Sequence, residues 1–228
     1  MSKKILVIAA HPDDEVYGMG GTICRRSSLG DTVHILIVTE GCTSQYRGDA
    51  ALDQIIAKKE QEAQRACAIL GAAQVHFGRL PDMRLDMTSH VAVNEVIENA
   101  VRKIQPDVVY THFWGDVNLD HSCVYRSSLV ACRPVAGQCV KELYCYSVPS
   151  STEWAPPAGC DMFCPNCFID ISAQLDRKLE ALSAYQTELR PYPHPRSPEY
   201  VRLTDTAAGL RCGIGPAEEF ICLRKIEV

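Results

Sequence analysis

Residues 4–15 read KILVIAAHPDDE. Six apolar residues run without interruption from 5 to 10 and give way at once to an imidazole, a proline and three carboxylates. A continuous apolar run marks a strand covered on both faces, because a half-solvated strand would alternate polar and apolar positions. Strands of that kind belong to parallel sheets with helices on either side. The polar cluster then falls just beyond the strand's carboxyl end, where such sheets bind their ligands.

Working outward, strand and helix patterns alternate at short intervals. The spacing predicts a helix over 20–29 closed by Gly30, a strand over 32–39 (TVHILIVT) and a long amphipathic helix over 52–70 stopped by Gly71. It predicts further strands at 74–77, 107–111 and 140–148, with helices at 88–104 and 121–132 between them. This order predicts an α/β fold, Rossmann-like, with a mainly parallel sheet and helices on both faces. Past Pro149 the pattern changes. A Pro- and Gly-bearing loop spans 150–165, followed by a strand at 168–171 and a helix at 175–189. The stretch RPYPHP (190–195) reads as stiff and extended, and 219–226 as an edge strand. With no internal repeat, the expectation is one domain over 1–228, a core at 1–149 and a C-terminal elaboration at 150–228.

Composition excludes several classes. Of 228 residues, 46% are hydrophobic and 22% charged, which excludes a disordered or collagen-like chain. The net charge is −5 and no Lys/Arg run exceeds two residues, so a nucleic-acid partner is not expected. The apolar run at 5–10 is too short for a signal-peptide core or a spanning helix, and the expectation is a soluble cytoplasmic protein without integral membrane association. Most of the twelve cysteines sit in apolar stretches, where a thiol packs as a small hydrophobe. The pair Cys164/Cys167 forms a lone CxxC, with Cys160 nearby; lacking a second pair, it reads as packing ahead of a metal or redox site.

A second polar cluster, HFWGDVNLDH (112–121), follows the predicted strand at 107–111. Two loops rich in imidazole and carboxylate would thus face one crevice, and that chemistry suits zinc or iron(II). An acidic helix N-terminus would account for Asp13, Asp14 and Glu15 but not for His11. Nucleotide binding at GMGG (18–21) is a poor reading. Seven residues separate these glycines from the strand, and the carboxylates among them would repel a pyrophosphate.

At these residues the chain resembles the PIG-L/LmbE-like family of metal-dependent N-acetylsugar deacetylases. The resemblance rests on AHPDDE (10–15), GGTI (20–23), LPDMRL (80–85) and NLDH (118–121). SSTEW (150–154), LDRKLEALSAYQTELR (175–190), PHPRS (193–197) and AEEF (217–220) resemble a bacterial subgroup. It implies zinc, or another divalent transition metal, on His11, Asp14 and His121, with Asp13 as general base. The implied products are acetate and a free amine from a small N-acetyl sugar. Asn118 stands where relatives often carry a histidine that stabilises the tetrahedral intermediate. His194 is the candidate proton donor in its place, with His112 second and on the substrate side. Lys59 replaces an arginine that contacts substrate in many relatives, Asp82 matches a position touching sugar hydroxyls, and Asp120 orients an imidazole. Tyr46 and Arg47 would line the mouth, and Trp154 and Tyr192 are candidates to stack on a sugar ring. An amidase on a non-sugar amide and a sugar- or nucleotide-binding module without turnover are the competing readings. Self-association is left open.

Overall fold

A computed structural model describes residues 2–227 apart from Gln45, Arg47, Asp49, Pro157 and Ala158, with Cys160 described for its backbone only. Seven strands form one sheet: β1 (Lys4–Ala9), β2 (Thr32–Thr39), β3 (Gln74–Leu80), β4 (Val108–His112), β5 (Glu142–Tyr146), β6 (Cys167–Asp170) and β7 (Ala217–Lys225). Their order is β3-β2-β1-β4-β5-β7-β6. The first five run parallel, while β7 pairs antiparallel with both β5 and β6. The helices are α1 (Asp14–Ser28), α2 (Leu52–Leu70), α3 (His90–Ile104), α4 (Leu119–Ala131), α5 (Leu175–Leu182) and α6 (Pro198–Leu210).

The unbroken apolar run of β1 is explained by two cores. Ile5, Val7 and Ala9 join one cluster with Val16, Ile23, Ala63, Ala66, Leu182 and Val201, from α1, α2, α5 and α6. Leu6, Ile8 and Ala10 join the other, with Val93, Ile97, Val101 and Val124 from α3 and α4. Each of the valine, leucine and isoleucine side chains contributes about 1.5–3 kcal/mol on burial. The chain runs outward from β1 through β2 to β3, then returns to β4 on the other side of β1. The carboxyl ends of β1 and β4 therefore flank the switch point, and a crevice opens there.

The structure differs from the sequence-based expectation at four places. Helix α1 begins at Asp14, directly after the polar cluster, and leaves helical geometry at Met19 (φ −156°, ψ 27°). The expected helix from residue 20 is its second segment, whose Gly21 and Thr22 amides donate to the Glu218 carboxylate at 2.9 and 2.6 Å. Gly18 is required at this break, since a Cβ there would lie 2.3 Å from the Tyr146 ring. Strand β7 is interior, and β6 forms the edge. Helix α6 was not expected. Its signal is local: the Ser197 hydroxyl caps the Tyr200 amide and Pro198 opens the first turn. Helix α5 stops at Leu182, and residues 183–189 continue as turns that bring Tyr185 and Glu188 inward.

Candidate active site

The turn after β1 is held in a costly conformation. Asp13 adopts φ 113°, ψ −29°, a region that side chains with a Cβ rarely occupy. Such a residue carries strain of about 1–3 kcal/mol, retained where the surroundings fix it. The Asp13 amide donates to Glu15 Oε2 at 3.2 Å, and its carbonyl accepts from Val16 and Tyr17 at 3.0 Å each. Glu15 is buried and accepts from the Tyr185 hydroxyl at 2.5 Å; burial pushes its carboxyl up to about 7.

Three donor atoms converge beside this turn. His11 Nδ1 lies 3.2 Å from Asp14 Oδ2, His121 Nε2 lies 3.4 Å from the same oxygen, and the two nitrogens are 3.3 Å apart. Bonds of about 2.0–2.1 Å at tetrahedral angles separate ligand atoms by about 3.3 Å, so this triangle fits one zinc-sized ion with a coordination position open. The far nitrogens are also held. His11 Nε2 faces Asp120 Oδ2 at 3.1 Å, and His121 Nδ1 faces Asp116 Oδ2 at 3.0 Å. Carboxylates behind ligating imidazoles fix the tautomer and ring orientation. The residues present can hold a metal ion.

The electrostatics agree with a cation site. Burial works against a charged imidazole, but Asp14 and Asp116 outweigh it and push His121 up to about 9. His11 is likewise raised well above its ordinary value, by Asp14, Asp120 and Asp82. Burial would raise Asp14, yet His121 and His11 hold it well below the carboxylate range. A divalent ion would take the place of those imidazole protons. Asp116 is held down at about 2: burial opposes this, and bonds from His121, Ser151 and Thr152 prevail.

A cavity of about 80 Å³ adjoins the triangle, lined among others by His11, Asp13, Lys59, Asp82, Asn118 and Arg196. Asp13 Oδ2 is buried without a hydrogen bond, its nearest cation being Arg196 Nη1 at 3.5 Å. Burial raises the Asp13 carboxyl well above its ordinary range, Glu188 and Asp14 add to this, and Arg196 opposes it. Asp82 accepts from the Ser44 hydroxyl at 2.5 Å and lies 3.5 Å from His11 Nε2. Asn118 caps α4 by accepting from the Asp120 amide at 2.9 Å, while its Nδ2 lies 3.5 Å from Met83 Sδ. Asp120 accepts the Met83 and Leu85 amides at 2.7 and 2.9 Å, which fastens the 83–85 loop to the rim.

Several expected residues are placed differently. His112 has no exposed surface and lies behind His121, ring centroids 4.0 Å apart, so it has no face for a substrate. Its Nε2 accepts the Ala10 amide at 2.8 Å, and burial together with His121 lowers it to about 4, leaving a neutral ring with no proton on that atom. His194 accepts the Arg196 amide on Nδ1 at 3.0 Å and does not line the cavity; Arg196, two residues on, does. Lys59 is buried and paired with Glu188. Arg47 lies outside the described residues, whereas Tyr46 is described and partly exposed. Trp154 and Tyr192 are 58% and 59% exposed and line no part of the cavity. Cys164 and Cys167 are free thiols, and among the described residues the two groups with metal-binding geometry, His11/Asp14/His121 and His11/Asp82/Asp120, contain no cysteine.

Sequence reasoning missed Arg196, Glu188, Asp116 and the Glu15–Tyr185 pair. Asp116 was within reach, as a third acid in the second polar cluster. The others come from distant segments that only the packing of α5 and its following turns brings to the site.

Comparison with known proteins bears on this geometry. The family described as PIG-L: GlcNAc-PI de-N-acetylase matches residues 6–132. The uncharacterized deacetylase YaiS of Escherichia coli is 32% identical over 157 residues, covering 65% of this chain and 76% of that protein. The diacetylchitobiose deacetylase of Thermococcus kodakarensis is 32% identical over 107 residues, 47% of this chain and 39% of that longer protein. Among solved structures, the 4-carboxy-2-hydroxymuconate hydratase GalB of Pseudomonas putida superposes with a TM-score of 0.77 at 21% identity, over 99% and 98% of the two chains. That likeness speaks for the fold alone.

Proposed function

The chain belongs to the PIG-L family, and we propose that it is a metal-dependent N-deacetylase that hydrolyses the acetamide of a small N-acetylated amino sugar, with zinc as the ion. The observation that carries the reading is the triangle of His11 Nδ1, Asp14 Oδ2 and His121 Nε2 beside the Asp13 carboxyl, whose buried Oδ2 makes no hydrogen bond.

Bound on those three atoms, a divalent ion would polarise the acetamide carbonyl and make a water more acidic. Asp13 takes the proton from the attacking water, whose oxygen forms the new bond to the acetamide carbon. As the C–N bond breaks, Asp13 passes that proton to the departing nitrogen, giving acetate and a free amine. Proton transfer by a placed carboxyl is worth roughly 10²–10⁴ in rate. Asn118 Nδ2 donates one hydrogen to Met83 Sδ and keeps a second for the oxyanion at the rim. Asp120 and Asp116 keep the two imidazoles aimed inward, and Asp82 accepts from a sugar hydroxyl. His194 and His112 have no part in proton transfer in this account.

No described helix is long and apolar enough to cross a membrane. The eleven cysteines with described side chains are all unpaired, which supports a reducing compartment such as the cytoplasm.

The test is acetate release from a panel of N-acetylhexosamine glycosides by zinc-loaded protein, with Asp13→Asn as control. Release by wild type and its loss in the variant support the reading. A metal-loaded protein that releases no acetate from any member overturns it.

A further inference from the structure

Among the described residues, two cations line the cavity, and one carboxylate holds both. Glu188 Oε1 is bonded to Lys59 Nζ, and Glu188 Oε2 lies 2.8 Å from Arg196 Nη1. Lys59 and Glu188 are 4% and 5% exposed, so water does little to screen the pair. Arg196 is further drawn to Asp13 at 3.5 Å, and its Nε donates to the Ser150 hydroxyl at 2.8 Å. Burial alone would raise the Glu188 carboxyl, but Lys59 and Arg196 keep it below its ordinary range, so it is charged. Among the described residues that line the cavity, a phosphate or carboxylate entering here meets no uncommitted side-chain cation, and it faces Asp82, Asp13 and Glu188 at the wall. Lysine or arginine binds an oxyanion well only when its donors are free to turn to it.

From this we infer that Glu188 determines the charge class of the substrate: by holding Lys59 and Arg196, it makes the cavity accept an uncharged N-acetyl glycoside and disfavour one bearing a phosphate or carboxylate beside the reacting acetamide. This rests on the deacetylase reading for its substrate and on the ion pairs alone for its charge rule. Glu188 acts through the two cations and is a specificity-determining residue, outside the proton-transfer machinery.

The experiment has two arms. In the first, acetate release is compared for the methyl glycoside and the 1-phosphate of N-acetylglucosamine, with wild-type protein and Glu188→Gln, metal content measured alongside. Wild type should favour the methyl glycoside by at least about tenfold in kcat/KM, and Glu188→Gln should move that ratio toward the phosphate by about tenfold through KM, within what loss of one partner of a buried charge pair moves. In the second, inorganic phosphate is titrated calorimetrically into zinc-loaded protein. Glu188→Gln should bind it about tenfold tighter than wild type, once its two cations lose their shared partner. A wild type that prefers the 1-phosphate, a ratio unmoved in Glu188→Gln, or equal phosphate binding overturns the charge rule. If neither glycoside yields acetate, the deacetylase reading fails and phosphate binding alone decides the rule. Should Glu188→Gln fail to fold, the wild-type preference decides it, or, without turnover, Arg196→Gln does: it should weaken phosphate binding no more than threefold if Arg196 is already committed, and a larger loss overturns the rule.

Discussion

His11 Nε2 lies 3.1 Å from Asp120 Oδ2, and that contact turns Nδ1 of the same ring toward Asp14 and His121. Asp120 thereby sets which nitrogen of His11 faces the ion, while its backbone bonds to Met83 and Leu85 fix its own position.

Asp120→Asn keeps the size of the side chain and removes the charge behind His11. Zinc affinity, read by competition with a chromophoric chelator, should fall roughly 10–100-fold, the usual scale for a partner behind a metal-binding imidazole. Unchanged affinity would deny Asp120 that role.

Neighbours in sequence should separate cleanly. Asp13→Asn should retain the metal and lose about 10²–10⁴ in kcat, because only the proton acceptor is gone. Asp14→Asn should lose metal. Metal analysis beside acetate assays decides between the two, and equal metal loss in both would mean the assignment is reversed.

The strain at Asp13 predicts a trade-off. At φ 113° a Cβ is unfavourable, so Asp13→Gly should be more stable than Asp13→Ala by about 1 kcal/mol in denaturant unfolding, with both inactive. A glycine variant less stable than the alanine one would show that the backbone is unstrained.

Asp116 gives a pH dependence with a definite sign. Its carboxyl is held near 2 against an ordinary 3.8, so its bonds contribute stability above pH 4 that fades as pH falls toward 2. In metal-free protein, Asp116→Asn should cost about 2 kcal/mol at pH 5, the difference shrinking on acidification. A cost that is constant from pH 5 to pH 2.5 would contradict this.

Much of the sheet was legible because β1 carries its argument in its own residues: a short apolar run ended by an imidazole, a proline and acids reads as a doubly covered strand leading to a ligand site. Helix α2 was readable to its boundaries, closed by Gly71 at φ 74°. Less legible was whatever depends on tertiary packing. Helix α6 hides behind RPYPHP, whose prolines read as a terminator although Ser197 and Pro198 start a helix. His194 drew attention as the titratable residue of that segment, yet the structure sends Arg196 to the cavity and uses the His194 ring to accept its amide. His194→Gln should therefore stay within about threefold of wild type, as a substitution outside the site, whereas Arg196→Gln should lower kcat/KM by more. Acetate assays on the pair would show the reverse if the histidine donates the proton.

The central claim, that one ion on His11, Asp14 and His121 is required for acetamide hydrolysis, is tested most directly by zinc titration of chelator-stripped protein with acetate release as the readout. The account predicts no release before zinc, a linear rise that ends at one ion per chain, and no recovery in Asp14→Asn at the same zinc. Full acetate release from protein shown by elemental analysis to be free of metal would contradict it.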